Sequence, residues 1–146
     1  MFYTILLKSH SGLRWILLVS LIFALVKFFR AARGNSHVRR LVPYTLISMI
    51  LMHIQVLFGL LLYFISPKVI FAAESMKNSV HRFFLVEHIS LMLIAAILIT
   101  IGYSKTKKQI NTPFGAKRLL IYYGIALIII LASIPWPFRG LGAAWM

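Results

Sequence analysis

His81-Arg82-Phe83-Phe84-Leu85-Val86-Glu87-His88-Ile89-Ser90-Leu91-Met92-Leu93 opens the third of four long apolar runs and sets a carboxylate beside an imidazole near the start of a membrane-spanning helix. Ionisable side chains at that depth are functional candidates by default, because hydrocarbon does not solvate them. The placement matters more in a chain whose only acidic residues are Glu74 and Glu87.

Outward from this stretch, the whole chain has the same character. Of its 146 residues, 61% are hydrophobic and 12% charged, with a mean hydropathy of +0.91. A soluble domain carries about a quarter charged residues, so this is an integral membrane protein. Four spans of about 20 residues each leave only short loops. The sequence therefore predicts one transmembrane domain over residues 1–146, with helices at 2–29, 43–65, 82–102 and 119–135.

The first run is densest from Trp15 to Val26 and is followed by Lys27 and Arg30 rather than by a small-residue cleavage site, which marks an uncleaved helix. A basic loop from Arg30 to Arg40 turns at Gly34-Asn35. The second span starts near Pro43 and stops before Ser66-Pro67. In the next loop, Val69-Ile70-Phe71-Ala72-Ala73 is expected as a short interfacial helix. A second basic loop covers Lys105 to Arg118, Pro135-Trp136-Pro137-Phe138-Arg139 closes the fourth span, and the tail from Gly140 to Met146 suits a return along the membrane surface.

The formal charge of +14 would suggest nucleic acid in a soluble protein, but here the cations follow topology. Lys27, Arg30, Arg33, Arg39 and Arg40 flank the first connection, and Lys105, Lys107, Lys108, Lys117 and Arg118 the third. Only Lys8, Arg14, Lys68, Lys77, Arg82 and Arg139, with both glutamates, fall on the other side. The positive-inside rule then gives an all-α, up-down-up-down four-helix bundle with both termini on the outer (periplasmic) side of a bacterial cytoplasmic membrane. No nucleic-acid partner is expected. The chain has no cysteine, which excludes disulfides, iron–sulfur clusters and thiol chemistry.

Helix rise converts position into depth at about 1.5 Å per residue. Measured from the cytoplasmic end, His53 lies roughly 15 Å in, His88 roughly 20 Å, and His10 and His81 roughly 28–31 Å. His37 falls in a loop. A neutral imidazole in hydrocarbon needs a partner for each nitrogen, and a b-type haem meets one need by axial ligation while a second acceptor orients the ring. Depth pairs His53 with His88. His10 with His88 or His81 is the rival, since helices 1 and 3 should lie diagonally and leave room for a porphyrin. The spacing of His81 and His88 favours one haem over two. Interhelical hydrogen bonding is the plain alternative for each histidine.

Arg14 lies one turn from His10 on the same face, where it can meet a haem propionate or anchor the helix at the interface. Glu87 can orient a histidine, pair with Arg14 or Arg82, or accept a proton from a quinol. Gly12 and Gly59 are small enough for a ring or a neighbouring helix to come close. Trp15, Tyr63, Tyr103, Trp136, Phe138 and Trp145 suit an interfacial belt. Met49, Met52 and His53 cluster on about one turn, a thioether–imidazole set compatible with copper(I).

His10-Ser-Gly-Leu-Arg-Trp15, His53-Ile-Gln-Val-Leu-Phe-Gly59-Leu-Leu-Leu-Tyr63-Phe, Val86-Glu-His88 and Ile134-Pro-Trp-Pro-Phe-Arg139 together resemble short four-helix bacterial membrane proteins described as cytochrome b-like, over nearly the whole chain. More distantly, Gln55 four residues before Gly59, followed by a histidine-bearing helix, is similar to a half-bundle of the haem A synthases and to the cytochrome b561 class. The resemblance implies a membrane b-type cytochrome with His10, His53 and His88 as positions for axial ligands. Helix 4 departs from a two-haem pattern because it carries no histidine.

The expected function is thus a haem b protein that exchanges electrons with quinol or a larger redox complex, an electron carrier more than a stand-alone enzyme. The chain has no nucleotide motif with which to draw electrons from a nicotinamide. The alternatives are a non-haem membrane subunit or assembly factor, a haem- or copper-handling protein, and a homo-oligomer of either kind.

Overall fold

The computed structural model describes residues 1–34, 38–109 and 112–142. Its four long helices are α1 (Phe2–Arg33), α2 (Val42–Ile65), α3 (Ser79–Lys108) and α4 (Pro113–Ser133). All four are long and apolar enough to cross a membrane, and no strand occurs among the described residues. The chain is a multi-pass membrane protein.

Helix boundaries follow local chemistry. α1 runs four residues past the expected end at 29, to Arg33. Arg30 and Arg33 in its last turn suit the negative end of the helix dipole. α2 stops at Ile65 because Ser66 precedes a proline and takes the extended conformation (φ −78°, ψ 132°) that proline imposes on its neighbour. The short helix expected at Val69–Ala73 is displaced. Residues 69–71 have no helical structure, and a 3₁₀ turn forms at Ala73–Lys77, where the buried Ser75 hydroxyl donates to the Ile70 carbonyl at 2.8 Å.

α3 begins three residues before the expected Arg82, since the Asn78 side chain caps it by accepting from the backbone N–H groups of Val80 (3.0 Å) and His81 (3.1 Å). It also continues six residues beyond Gly102. That glycine is a contact point and not a stop: a Cβ there would lie 2.7 Å from the Tyr122 Cβ. α4 starts at Pro113 rather than at Leu119, so Lys117 and Arg118 are helical and the third connection is short.

α1 packs extensively on α2 and α4, and α3 packs on the same two helices, so α1 and α3 face each other across the bundle. Leu17, Leu21, Phe28, Met52, Ile99, Leu119, Tyr123 and Ile130 form the core. Ile16, Val19, Leu57, Ile97, Ile121 and Ile128 point outward and are exposed, an arrangement suited to hydrocarbon. Near one end, the fully buried Tyr123 donates its hydroxyl to the Thr45 carbonyl at 2.9 Å.

Candidate functional site

The polar centre of the bundle lies between α1 and α3. The imidazoles of His10 and His88 have ring centroids 6.5 Å apart with planes at 76°. Each is positioned by a different local device.

His88 comes directly after a π-helical turn, Phe83–Glu87, and its backbone N–H bonds to Phe83 O five residues back. Such a turn inserts one residue into the α-helical register and rotates the remainder of the helix about its axis. Tyr63 of α2 donates its hydroxyl to Leu85 O within this turn at 3.0 Å. The Phe83 and Phe84 rings lie 5.8 and 6.2 Å from His88. The His88 Nδ1–H donates to Ser133 O at 2.8 Å. A carbonyl only accepts, so the proton is on Nδ1 and Nε2 carries the lone pair.

Ser133 O is free for this because of Pro135-Trp136-Pro137. The prolines occupy the positions that would supply N–H groups to Leu131 O and Ser133 O, and proline has none. The orphaned carbonyls of α4's last turn are taken from outside the ladder. Leu131 O accepts from the Trp136 indole (2.9 Å), Ala132 O from Arg139 (2.8 Å), Ser133 O from His88, and Ile134 O from the Trp136 N–H (2.9 Å).

His10 is held from α2. The Gln55 side-chain amide donates to His10 O at 2.9 Å and lies 3.3 Å from His10 Nε2. Gln55 is 6% exposed. The His10 Nδ1 and Gln55 Oε1 atoms are buried with no hydrogen-bond partner among the described residues. Gly59, one turn beyond Gln55, lets the His10 ring pack closely on α2, since a Cβ there would lie 3.3 Å from the ring's Cε1. Gly12 has open space around it.

Arg14 is buried at 9% exposure. Its guanidinium carbon lies 5.2 Å from the centre of the Trp15 ring and 6.0 Å from that of Trp136, distances at which a cation is attracted to an aromatic face. Trp15 and Trp136 meet edge to face at 6.0 Å. The two tryptophans expected in an interfacial belt therefore also enclose the arginine next to the histidine pair.

His53, which depth pairs with His88, is not brought to it. The buried residues of α2 are Thr45, Ser48, Met52, Gln55 and Leu62, a helical stripe that leaves position 53 on an exposed flank. There the His53 Nδ1–H donates to Met49 O at 2.8 Å, and Nε2 lies 3.4 Å from the Thr100 hydroxyl. The same geometry divides the Met49, Met52 and His53 set, because Met52 is fully buried in the core while His53 is exposed. His81 sits at the loop, with its Nδ1–H on Lys68 O at 3.0 Å. Glu87 pairs with Arg82 at 2.9 Å, and both side chains are over 40% exposed. His37 and Trp145 lie outside the described residues.

No group of three or more His, Cys, Asp or Glu that could hold a metal ion occurs among the described residues, so a metal at this centre would rest on the two imidazoles. The groove of about 520 Å³ lined by Trp15, Val19, Phe23, Tyr44, Ile47 and Leu51 is almost wholly apolar and includes neither histidine. Ser133 and Gln55 were not predicted as site residues. The proline spacing was the available signal for the first; a lone polar residue on the buried stripe of α2 was the signal for the second. No family model, curated protein or solved structure matches this chain.

Proposed function

We propose that this chain is a membrane b-type cytochrome-like protein that binds one haem b between α1 and α3, where His88 and His10 would hold its iron. The observation that carries this reading is the 6.5 Å separation of two imidazoles, one of which has its Nδ1–H fixed on a helix-terminal carbonyl. Two imidazoles that would share one metal, each at about 2 Å from a ring nitrogen, need centroids within roughly 6 Å, close to the separation here. A ligating histidine characteristically donates its other N–H to a carbonyl or carboxylate, as His88 does. The buried Nδ1 of His10, which has no hydrogen-bond partner among the described residues, leaves a polar need that a bound group can meet. Arg14 supplies a cation suited to a propionate. Bound haem would supply a one-electron couple, and the exchange partner would be quinol or a larger redox complex in a bacterial cytoplasmic membrane.

The up-down order, with both termini outside, belongs to the same proposal. Contact of the Tyr3 hydroxyl at the start of α1 with Ser66 just after α2, at 3.5 Å, supports an antiparallel first pair.

The test is an oxidised and reduced absorption spectrum of protein purified after haem supplementation. A Soret band is expected, lost in His88→Ala, weakened or converted to a high-spin form in His10→Ala, and kept in His53→Ala. Absence of the band in wild type would end the proposal.

The second reading is a non-haem subunit or assembly factor. It is favoured by one observation: Gln55 to His10 and His88 to Ser133 are interhelical hydrogen bonds of the kind that fasten membrane bundles without a cofactor. A His10/His88 double variant that folds and assembles like wild type, with no chromophore in either protein, would select it.

A further inference from the structure

We propose that Gln55 is the positioning residue of this centre: it fixes the proton of His10 on Nδ1 and so keeps the lone pair on Nε2. The inference rests on the haem reading for its purpose, but its geometric basis is independent of it.

The amide orientation of Gln55 is decided by its neighbour. His10 O can only accept, so the group 2.9 Å away is the NH₂ and not the carbonyl oxygen. An NH₂ has two protons. With one on His10 O, the other is available to His10 Nε2 at 3.3 Å, and Nε2 must then be an acceptor. The proton of the neutral ring is thereby assigned to Nδ1. This matches the tautomer that the Ser133 carbonyl imposes on His88.

The two histidines thus reach one chemical state by different routes. A helix-terminal carbonyl fixes His88 by accepting from Nδ1, whereas a side-chain amide fixes His10 by donating to Nε2. Both rings present an Nε2 lone pair, the form a metal requires. The contact to His10 Nε2 is long for a hydrogen bond, so an incoming metal can displace it, and Gln55 still keeps its shorter bond to His10 O. His88 is then the permanently oriented ligand, and His10 is the ligand preset by a displaceable donor.

The test reads the tautomer directly. The full chain, with ¹⁵N-labelled histidine and purified without haem supplementation in detergent micelles, is probed by long-range ¹H–¹⁵N correlation at a pH where the rings are neutral. His10 is expected to give the Nδ1–H pattern. In Gln55→Leu that bias should disappear in favour of Nε2–H, and in Gln55→Glu the ring should turn to Nε2–H, because a carboxylate accepts where the amide donates. On haem addition, Gln55→Leu should show a larger high-spin fraction than wild type, since the lone pair of His10 is no longer held ready.

An Nε2–H signature for His10 in wild type overturns the proposal, as does an unchanged Nδ1–H signature in Gln55→Leu. The wild-type spectrum alone is decisive if the variants fail to fold. Failure of the haem reading is a separate result: no Soret band would appear, while the tautomer of His10 would still answer for Gln55.

Discussion

At the scale of single residues, Gly102 shows how a membrane bundle uses a small side chain. The sequence expectation ends the third span at this residue. Without a hydrophobic drive between helices in lipid, close approach through small residues becomes the means of association, and α3 continues to Lys108 with Gly102 against Tyr122 and Tyr123. Gly102→Ala would put its methyl 2.7 Å from the Tyr122 Cβ and 3.2 Å from the Tyr123 ring. Overpacking of this kind costs about 1–3 kcal/mol. The expected outcome is a lowered unfolding midpoint in detergent, with Gly124→Ala, where nothing lies within 4 Å, as the neutral comparison.

At the scale of elements, the end of α4 and the π-helical turn of α3 act together on one ring. Pro137→Ala would restore an N–H at the position that normally bonds Ser133 O, in competition with His88. If the centre holds haem as proposed, loss of one hydrogen bond's worth of orientation predicts affinity weaker by about fivefold, measured by titration of haem into the purified protein, with the overall fold intact by circular dichroism.

The four spans were legible in the sequence because the length of each apolar run and the cations between the runs report membrane crossing directly. His10, Arg14 and His88 were legible as site candidates because ionisable groups are costly in lipid. For His88 the sequence leaves two neighbours open, His53 by depth and His10 by bundle geometry, and the structure sets the His10 ring beside it. Depth along the membrane fixes one coordinate of a residue and leaves its angle around the helix undetermined, and by angle His53 leaves the buried stripe of α2 while Gln55 and Met52 stay on it. The π-helical turn adds a rotation at Phe83–Glu87 that no residue type in Phe83-Phe84-Leu85-Val86-Glu87 announces.

At the scale of the whole molecule, the loop between α2 and α3 is tied to the end of the chain. The Lys68 ammonium donates to Gly142 O at 2.5 Å and lies 5.0 Å over the Phe84 ring, whose neighbour is His88. Gly142 has φ +64°, a left-handed conformation that a side chain would strain. Partial burial holds the Lys68 ammonium below its ordinary value of 10.5. The unfolded chain then binds that proton more tightly, and the stability contributed by this group rises with pH between the lowered value and the ordinary one. In Lys68→Met that rise should vanish. Thermal unfolding across the alkaline range is expected to give a wild-type-minus-variant difference that grows with pH.

The bond between His88 and Ser133 also imposes an order on biogenesis. A ribosome delivers His88 to the membrane 45 residues before its acceptor, so at the moment α3 inserts the ring has no carbonyl to hold it. The centre is completed only once the fourth span has been threaded and its proline-terminated end has folded onto α3. A ligand that needs both rings held can therefore bind only once the fourth span is in place, and a nascent chain arrested before Ser133 would hold an imidazole pair with only one member oriented.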